Sequence, residues 1–254
     1  MAKVVIPLPD RDFDVTEVAV PWKLLTSAGH QVVFATEAGA KPAGDPRLLT
    51  GVVFGMLGAE PEAKAFYGEL EAAPEFGRPI RWRDIDLDGS KAMLLPGGHA
   101  KGMRQYLEGA DLFAKAAAFA RSGKPLAAIC HGVLVLARAR DAQTGKSVLA
   151  GRRTTCLPKY MERSAWLATA WKLGRYYRTY DAYVEEEVCA ALDDPGSQFE
   201  RGPRVLFRKG TIEDDSAAFV VEDGSYLSAR WPGDAYLLAK RLLATLTRRV
   251  GSLT

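Results

Sequence analysis

Cysteine and histidine are scarce in this chain, with three of each among 254 residues. Cys130, Cys156 and Cys189 are odd in number and lack the paired spacing of a zinc site, so neither a disulfide framework nor a structural metal is expected. In a reducing compartment each defaults to a free thiol, and a small buried hydrophobe is the ordinary role for one. Charge of one sign is missing as well: 34 basic residues against 31 acidic leave a net +3. No basic cluster with interleaved aromatics offers a track for nucleic acid. Long apolar runs are absent, and none approaches the ~20 residues of a membrane helix. The opening MAKVVIPLPDRDFD has neither the apolar stretch nor the small-residue cleavage site of a secretory signal. A cytoplasmic address follows as the expectation, with no membrane and no nucleic-acid partner.

What is present is ordinary for one globular α/β domain, at 48% hydrophobic and 26% charged residues. Short apolar runs alternate with amphipathic segments, the pattern of a mostly parallel sheet flanked by helices. Strands are predicted at Lys3–Leu8, at QVVFAT, at Lys91–Pro96 and at Pro125–Cys130, with helices at Thr16–Ala28, Leu112–Arg121 and Gly132–Arg140. Pro21 is tolerable in the first of these helices only near its start or at a kink. Residues from about Gly39 to Pro61 form a Gly- and Pro-rich excursion followed by a helix near Glu62–Ala73, and about Gly39 to Arg81 is read as a small cap or insertion. Further on, RRTTCL and the stretches Arg204–Phe207 and Ala217–Val221 read as strands. Glu162–Lys172, Tyr183–Leu192 and Asp234–Thr247 read as helices, the last with leucines at helical spacing. No linker or internal repeat divides the chain.

The strongest local signal is Ala127-Ala-Ile-Cys-His-Gly-Val-Leu-Val-Leu136, a buried strand that turns at Cys130 directly into a helix. Such a reversal lifts the nucleophile above the sheet edge, and Gly132 suits the tight packing beneath it. A helix N-terminus beside the sulfur favours the thiolate, which is the nucleophilic form. The carboxyl end of a parallel strand is also where open α/β sheets bind ligands. Gly97-Gly98-His99 follows another buried strand, so the Gly98 region, His99 and the His131 backbone are candidates to hold a developing oxyanion. Glu17, on the first helix, lies near the same edge; a carboxyl buried beside a thiol has a raised pKa and can exchange a proton. Lys101 and Arg104 read as solvated helix charges before they read as mouth residues.

Together, Glu17-Val-Ala-Val-Pro21, Leu95-Pro-Gly-Gly-His99, Ala128-Ile-Cys-His-Gly132 and Ser228-Ala-Arg-Trp-Pro-Gly-Asp234 resemble the ThiJ/PfpI superfamily, which shares its fold with class I glutamine amidotransferases. The resemblance implies a flavodoxin-like three-layer sandwich, commonly a homodimer, with no metal or organic cofactor. It is nearest the larger capped members associated with glyoxalase III and chaperone activity. Matching their later carboxylate to Gly151–Glu162 implies a Cys130–His131–Glu162 triad in which Glu162 fixes the imidazole tautomer. The implied reaction is cofactor-free conversion of a small α-oxoaldehyde such as methylglyoxal to a hydroxy acid. The alternatives are an amidase or peptidase using the same triad, and a non-enzymatic holdase chaperone or redox sensor. A glutaminase is disfavoured, since no histidine follows His131.

Overall fold

The computed structural model describes residues 1–52, 57–205 and 208–251. The chain opens with β1 (Lys3–Pro7), whose Val4, Val5 and Ile6 are fully enclosed, and a short β2 (Arg11–Phe13). Asp14 then caps α1 (Val15–Ser27) by accepting from the backbone N–H groups of Thr16 and Glu17. Pro21 falls at the seventh residue of this helix, inside it and not at its start. The lost hydrogen bond costs about 3 kcal/mol, and ten buried residues of α1 offset it.

β3 (Gln31–Thr36) follows, then the stretch read as an excursion: β4 (Ala43–Gly44), α2 (Pro46–Thr50), α3 (Pro61–Ala72), α4 (Pro74–Gly77) and β5 (Ile80–Arg81). α3 lies against α1 and so belongs to the helical layer over the sheet, whereas β4 pairs with β2 in a separate two-stranded sheet. Next come β6 (Ala92–Leu95), α5 (Arg104–Leu107), α6 (Ala110–Arg121), β7 (Leu126–Ile129) and α7 (Val133–Arg138). The last part holds α8 (Lys159–Leu173), α9 (Val184–Ala190), α10 (Pro195–Gln198), β8 (Val220–Asp223), β9 (Tyr226–Ala229) and α11 (Ala235–Gly251). Among the described residues, no helix is long and apolar enough to cross a membrane.

The main sheet has seven strands in the order β5-β3-β1-β6-β7-β9-β8, all parallel but the antiparallel edge strand β8. α1 packs on α3 and α11, and α6 on α7, which in turn meets α9; the two groups flank the sheet. This is the flavodoxin-like α/β sandwich expected. β1, β6 and β7 occupy its centre, and their carboxyl ends open onto one edge.

The second half departs from the sequence reading in three places. RRTTCL forms no strand: Thr154 makes a single bridge to Phe199, its hydroxyl meets the Tyr226 hydroxyl at 2.9 Å, and Thr155 N–H donates to Ser228 Oγ. Both edges of β9 are already taken by β7 and β8, so no ladder position is left there for this segment. Of the strand expected at Arg204–Phe207, Arg204 and Val205 are irregular and the other two residues lie outside the described residues. The predicted strand at Ala217–Val221 begins only at Val220, while β9 is an additional strand. The Ser-Ala-Arg-Trp-Pro-Gly-Asp run ends this strand with a buried ion pair, in which the Asp234 carboxylate accepts from the Arg230 guanidinium and from the Phe219 and Arg230 N–H groups. That ion pair is a structural tie, while Trp231 and Pro232 of the same run line a cleft at the sheet's edge.

Candidate active site

At the carboxyl end of β7 the chain makes one tight turn, Cys130–Gly132, before α7 starts at Val133. Cys130 has φ 57°, a left-handed conformation that costs an ordinary side chain about 1–2 kcal/mol. Backbone strain held at a nucleophile by its surroundings is the mark of an elbow. The glycines around it are required by space. A Cβ on Gly132 would overlap Leu95 O and lie 2.6 Å from Pro96 O; one on Gly97 would lie 2.7 Å from His131 N and 3.0 Å from both Cys130 Cβ and Glu17 Oε2.

Two imidazoles face the sulfur. His131 Nδ1 is 3.5 Å from Cys130 Sγ, and His99 Nε2 is 3.8 Å away on another side. The far nitrogen of His131, Nε2, is 3.4 Å from Thr179 Oγ1. The Thr179 hydroxyl has one proton, and it goes to the carbonyl of His99 at 2.6 Å. Toward His131 it therefore accepts, which places the imidazole proton on Nε2 and leaves the Nδ1 lone pair facing the thiol. Thr179 is itself held in place: Arg104 Nε and Nη2 donate to its carbonyl at 2.9 and 2.7 Å, and the guanidinium stacks on Tyr180. Arg104 is exposed, as a helix charge would be, yet its guanidinium is also engaged with the chain, and its donors position the hydroxyl-bearing residue that meets His131. Nothing local in the tyrosine-rich turn Tyr176–Tyr180 announces Thr179; only an Arg fork aimed at it, 75 residues away in sequence, does so.

Glu17 reaches this site as expected. Its Oε2 accepts from Gly97 N–H at 2.7 Å, Oε1 is buried without a hydrogen-bond partner, and the carboxyl group neighbours the Cys130 thiol. Burial, and then the charge of Asp14, push this carboxyl well above the usual range, toward its protonated form.

Glu162 does not complete a triad. Its Oε1 accepts from Arg178 Nη1 at 3.2 Å and its Oε2 from Val184 N–H at 3.0 Å, while Thr179 stands against His131. Burial pushes the Glu162 carboxyl up to about 7, against the pull of Val184 N–H and Arg178. It ties the first turn of α8 to the start of α9. The acid of the expected triad is replaced by a hydroxyl.

The electrostatics of the sulfur also differ from expectation. Cys130 has no exposed surface, and burial first, then the Glu17 and Asp14 carboxyls, raise its pKa well above that of a free thiol. Burial, and then His99, hold His131 well below its ordinary pKa, and burial lowers His99 to about 4. Desolvation outweighs the six-residue helix that follows the turn. The resting pair is therefore a neutral thiol against a neutral imidazole, and attack requires His131 to take the proton as the new bond forms.

A cleft of about 760 Å³ opens on the same edge. Asp14, Thr16 and His99 line it, together with residues of α8 and with Leu48, Val52 and Leu57. His99 thus stands between the cleft and the sulfur. A smaller depression of about 380 Å³ between Ala120 and Arg152 contains none of these groups. The ligand atoms of His99, Cys130 and His131 lie within 4.8 Å of one another, a nitrogen and thiolate set of the kind that suits Zn²⁺ or Cu(I). Among the described residues these three are the group that could hold a metal, which the sequence did not suggest.

The sequence model of the ThiJ/PfpI family-like group matches residues 8–203, most of the chain and all of the elbow. The chain belongs to that family. As a ThiJ/PfpI-like protein it is 29% identical over 245 residues to the uncharacterized protein C14C4.04 of Schizosaccharomyces pombe, covering 94% of this chain and 82% of that one. Among solved structures it resembles glyoxalase III from Candida albicans, with a TM-score of 0.70 at 18% identity over 96% of this chain and 97% of that one. It also resembles Drosophila melanogaster DJ-1beta, with a TM-score of 0.56 at 15% identity over 99% and 97% of the two chains. At these identities the two structures establish a shared fold.

Proposed function

We propose that this ThiJ/PfpI-like protein is a cysteine-dependent enzyme acting on α-oxoaldehydes, converting R–CO–CHO and water to the 2-hydroxy acid without an organic cofactor. The observation that carries the reading is the Nδ1 of His131 set 3.5 Å from Cys130 Sγ, with the buried Glu17 carboxyl beside the same thiol. A substrate entering by the cleft meets His99 first, and a turn of that imidazole gives its aldehyde carbon access to the thiol.

His131 accepts the thiol proton as sulfur bonds to the aldehyde carbon, then returns it to the new alkoxide, giving a hemithioacetal. The neutral imidazole next removes the hydrogen on that carbon, and the neighbouring carbonyl carbon is protonated through the enediol, with Glu17 as a second carrier. The aldehyde carbon is oxidised to a thioester while the ketone carbon is reduced to an alcohol, so the redox balance is internal. Water cleaves the thioester, releasing the hydroxy acid and restoring the thiol. The thiolate and alkoxide that form in passing are stabilised by the Glu17 proton and by backbone N–H groups around Gly98 and His131.

The test is to incubate purified protein with methylglyoxal and follow lactate. Wild-type protein should produce it, and Cys130→Ala protein should not; equal lactate from the two ends the proposal.

A further inference from the structure

The cleft is much larger than a three-carbon oxoaldehyde requires. Its volume of about 760 Å³ lies within the range that encloses drug-sized ligands. Its lining combines polar groups, Asp14, Thr16 and His99 among them and Ser164 and Thr169 on α8, with the apolar side chains of Leu48, Val52 and Leu57 and of Met161, Ala165 and Ala168 on α8. Positions 161, 165 and 168 share one face of that helix by their spacing. The two alanines keep this face shallow, and the open volume is the space larger side chains would fill. The charged groups of the cleft are Asp14, Asp45 and Glu60 against a single Lys209, whose ammonium already pairs with Glu60 at 3.0 Å and donates to Gly58 O. That balance repels an anionic substrate and favours a neutral one.

We propose that the cleft holds the alkyl substituent of an α-oxoaldehyde whose two carbonyls lie against His99 and Cys130, making neutral alkylglyoxals of several carbons the preferred substrate class. This rests on the α-oxoaldehyde reading and adds to it the apolar face of α8 as the determinant of specificity. The chemistry is unchanged: the substituent takes no part in bond making, and each methylene drawn into the cleft can add up to about fourfold to transition-state binding.

The experiment compares kcat/KM for methylglyoxal, 2-oxohexanal and 2-oxooctanal. The value should rise at least tenfold from first to last, and the ratio should collapse toward one in Ala165→Trp and in Ala168→Trp protein. A flat series, or a ratio that neither filling substitution changes, overturns the proposal. Calorimetry on Cys130→Ala protein, which needs no turnover, separates the cleft from the chemistry. 1-Hydroxy-2-octanone should bind at least tenfold more tightly than hydroxyacetone, and Ala165→Trp should remove the difference. If no aldehyde turns over while the octanone still binds in this way, the oxoaldehyde chemistry falls and the cleft stands as a site for an apolar-tailed carbonyl ligand. If the octanone does not bind, the cleft assignment falls even where methylglyoxal is consumed.

Discussion

Two regions meet at the sulfur, and each brings a buried glutamate. On the strand-end side, Glu17 sits at 0% exposure next to the thiol, with one oxygen on Gly97 N–H and the other unpartnered. On the α8–α9 side, Glu162 sits at 1% exposure with both oxygens engaged, by Arg178 and by Val184 N–H. Burial raises both carboxyls. The contrast shows that burial alone does not distinguish a proton carrier from a tie between helices. The distinction is whether an oxygen is left free to face the reacting atom, because an unpaired buried polar atom is costly and persists only where something else requires it.

The largest effect tests the sulfur that both regions surround. Cys130→Ala should lower lactate formation by about 1000-fold or more, with circular dichroism unchanged. Glu17→Gln against Glu162→Gln then tests the comparison itself. The first should reduce kcat by about 100-fold, the second by no more than about threefold once the folded fraction is matched. Equal losses would erase the distinction between the two glutamates.

Thr179 sharpens the same boundary, since it belongs to the α8–α9 side yet serves the base. Thr179→Val, unable to accept from His131 Nε2, should lower kcat by about tenfold and shift the pH–rate profile, and Thr179→Ser should restore both. A loss that serine does not rescue would make the contact a packing contact only.

The smallest effect is on stability. Glu162 in the folded protein has a pKa of about 7 against 4.5 for the free group. The folded state therefore holds a proton that the unfolded state has released, and stability falls as pH rises from about 4.5 to 7, by at most about 3 kcal/mol. Asp14, at about 6 against 3.8, acts in the same direction over a lower window. His99, at about 4 against 6.5, acts in the opposite direction, and its contribution is lost as pH falls through 4. Urea midpoints at pH 5 and pH 8 should show a smaller drop in Glu162→Gln than in wild type. An unchanged drop would mean that another group carries it.

The strand-end side was legible because its parts are local. Cys130, His131 and Gly132 are consecutive, Gly97 to His99 close a neighbouring strand, and Glu17 follows the first, so a parallel α/β pattern alone brings them to one edge. The α8–α9 side was not. Thr179 lies 48 residues from His131 and is aimed by Arg104, and neither residue type carries a catalytic signature. Glu162 is the more instructive miss: its place in the chain suggested the third member of a triad, but the packing of α8 on α9 gives it Arg178 instead. The thiol was misjudged for a related reason. A helix N-terminus is visible in a sequence, whereas full enclosure, which decides the pKa here, is not.

By itself the sequence determined the alternation of strands and helices, the elbow and the glutamate beside it, since periodicity and short connections act between near neighbours in the chain. Only the tertiary structure decided which hydroxyl orients His131, which carboxyl keeps an unpaired oxygen, how deeply the sulfur is buried and how much room lies beyond His99. Those depend on distances between segments far apart in sequence, and on the desolvation that arises when they close around the site.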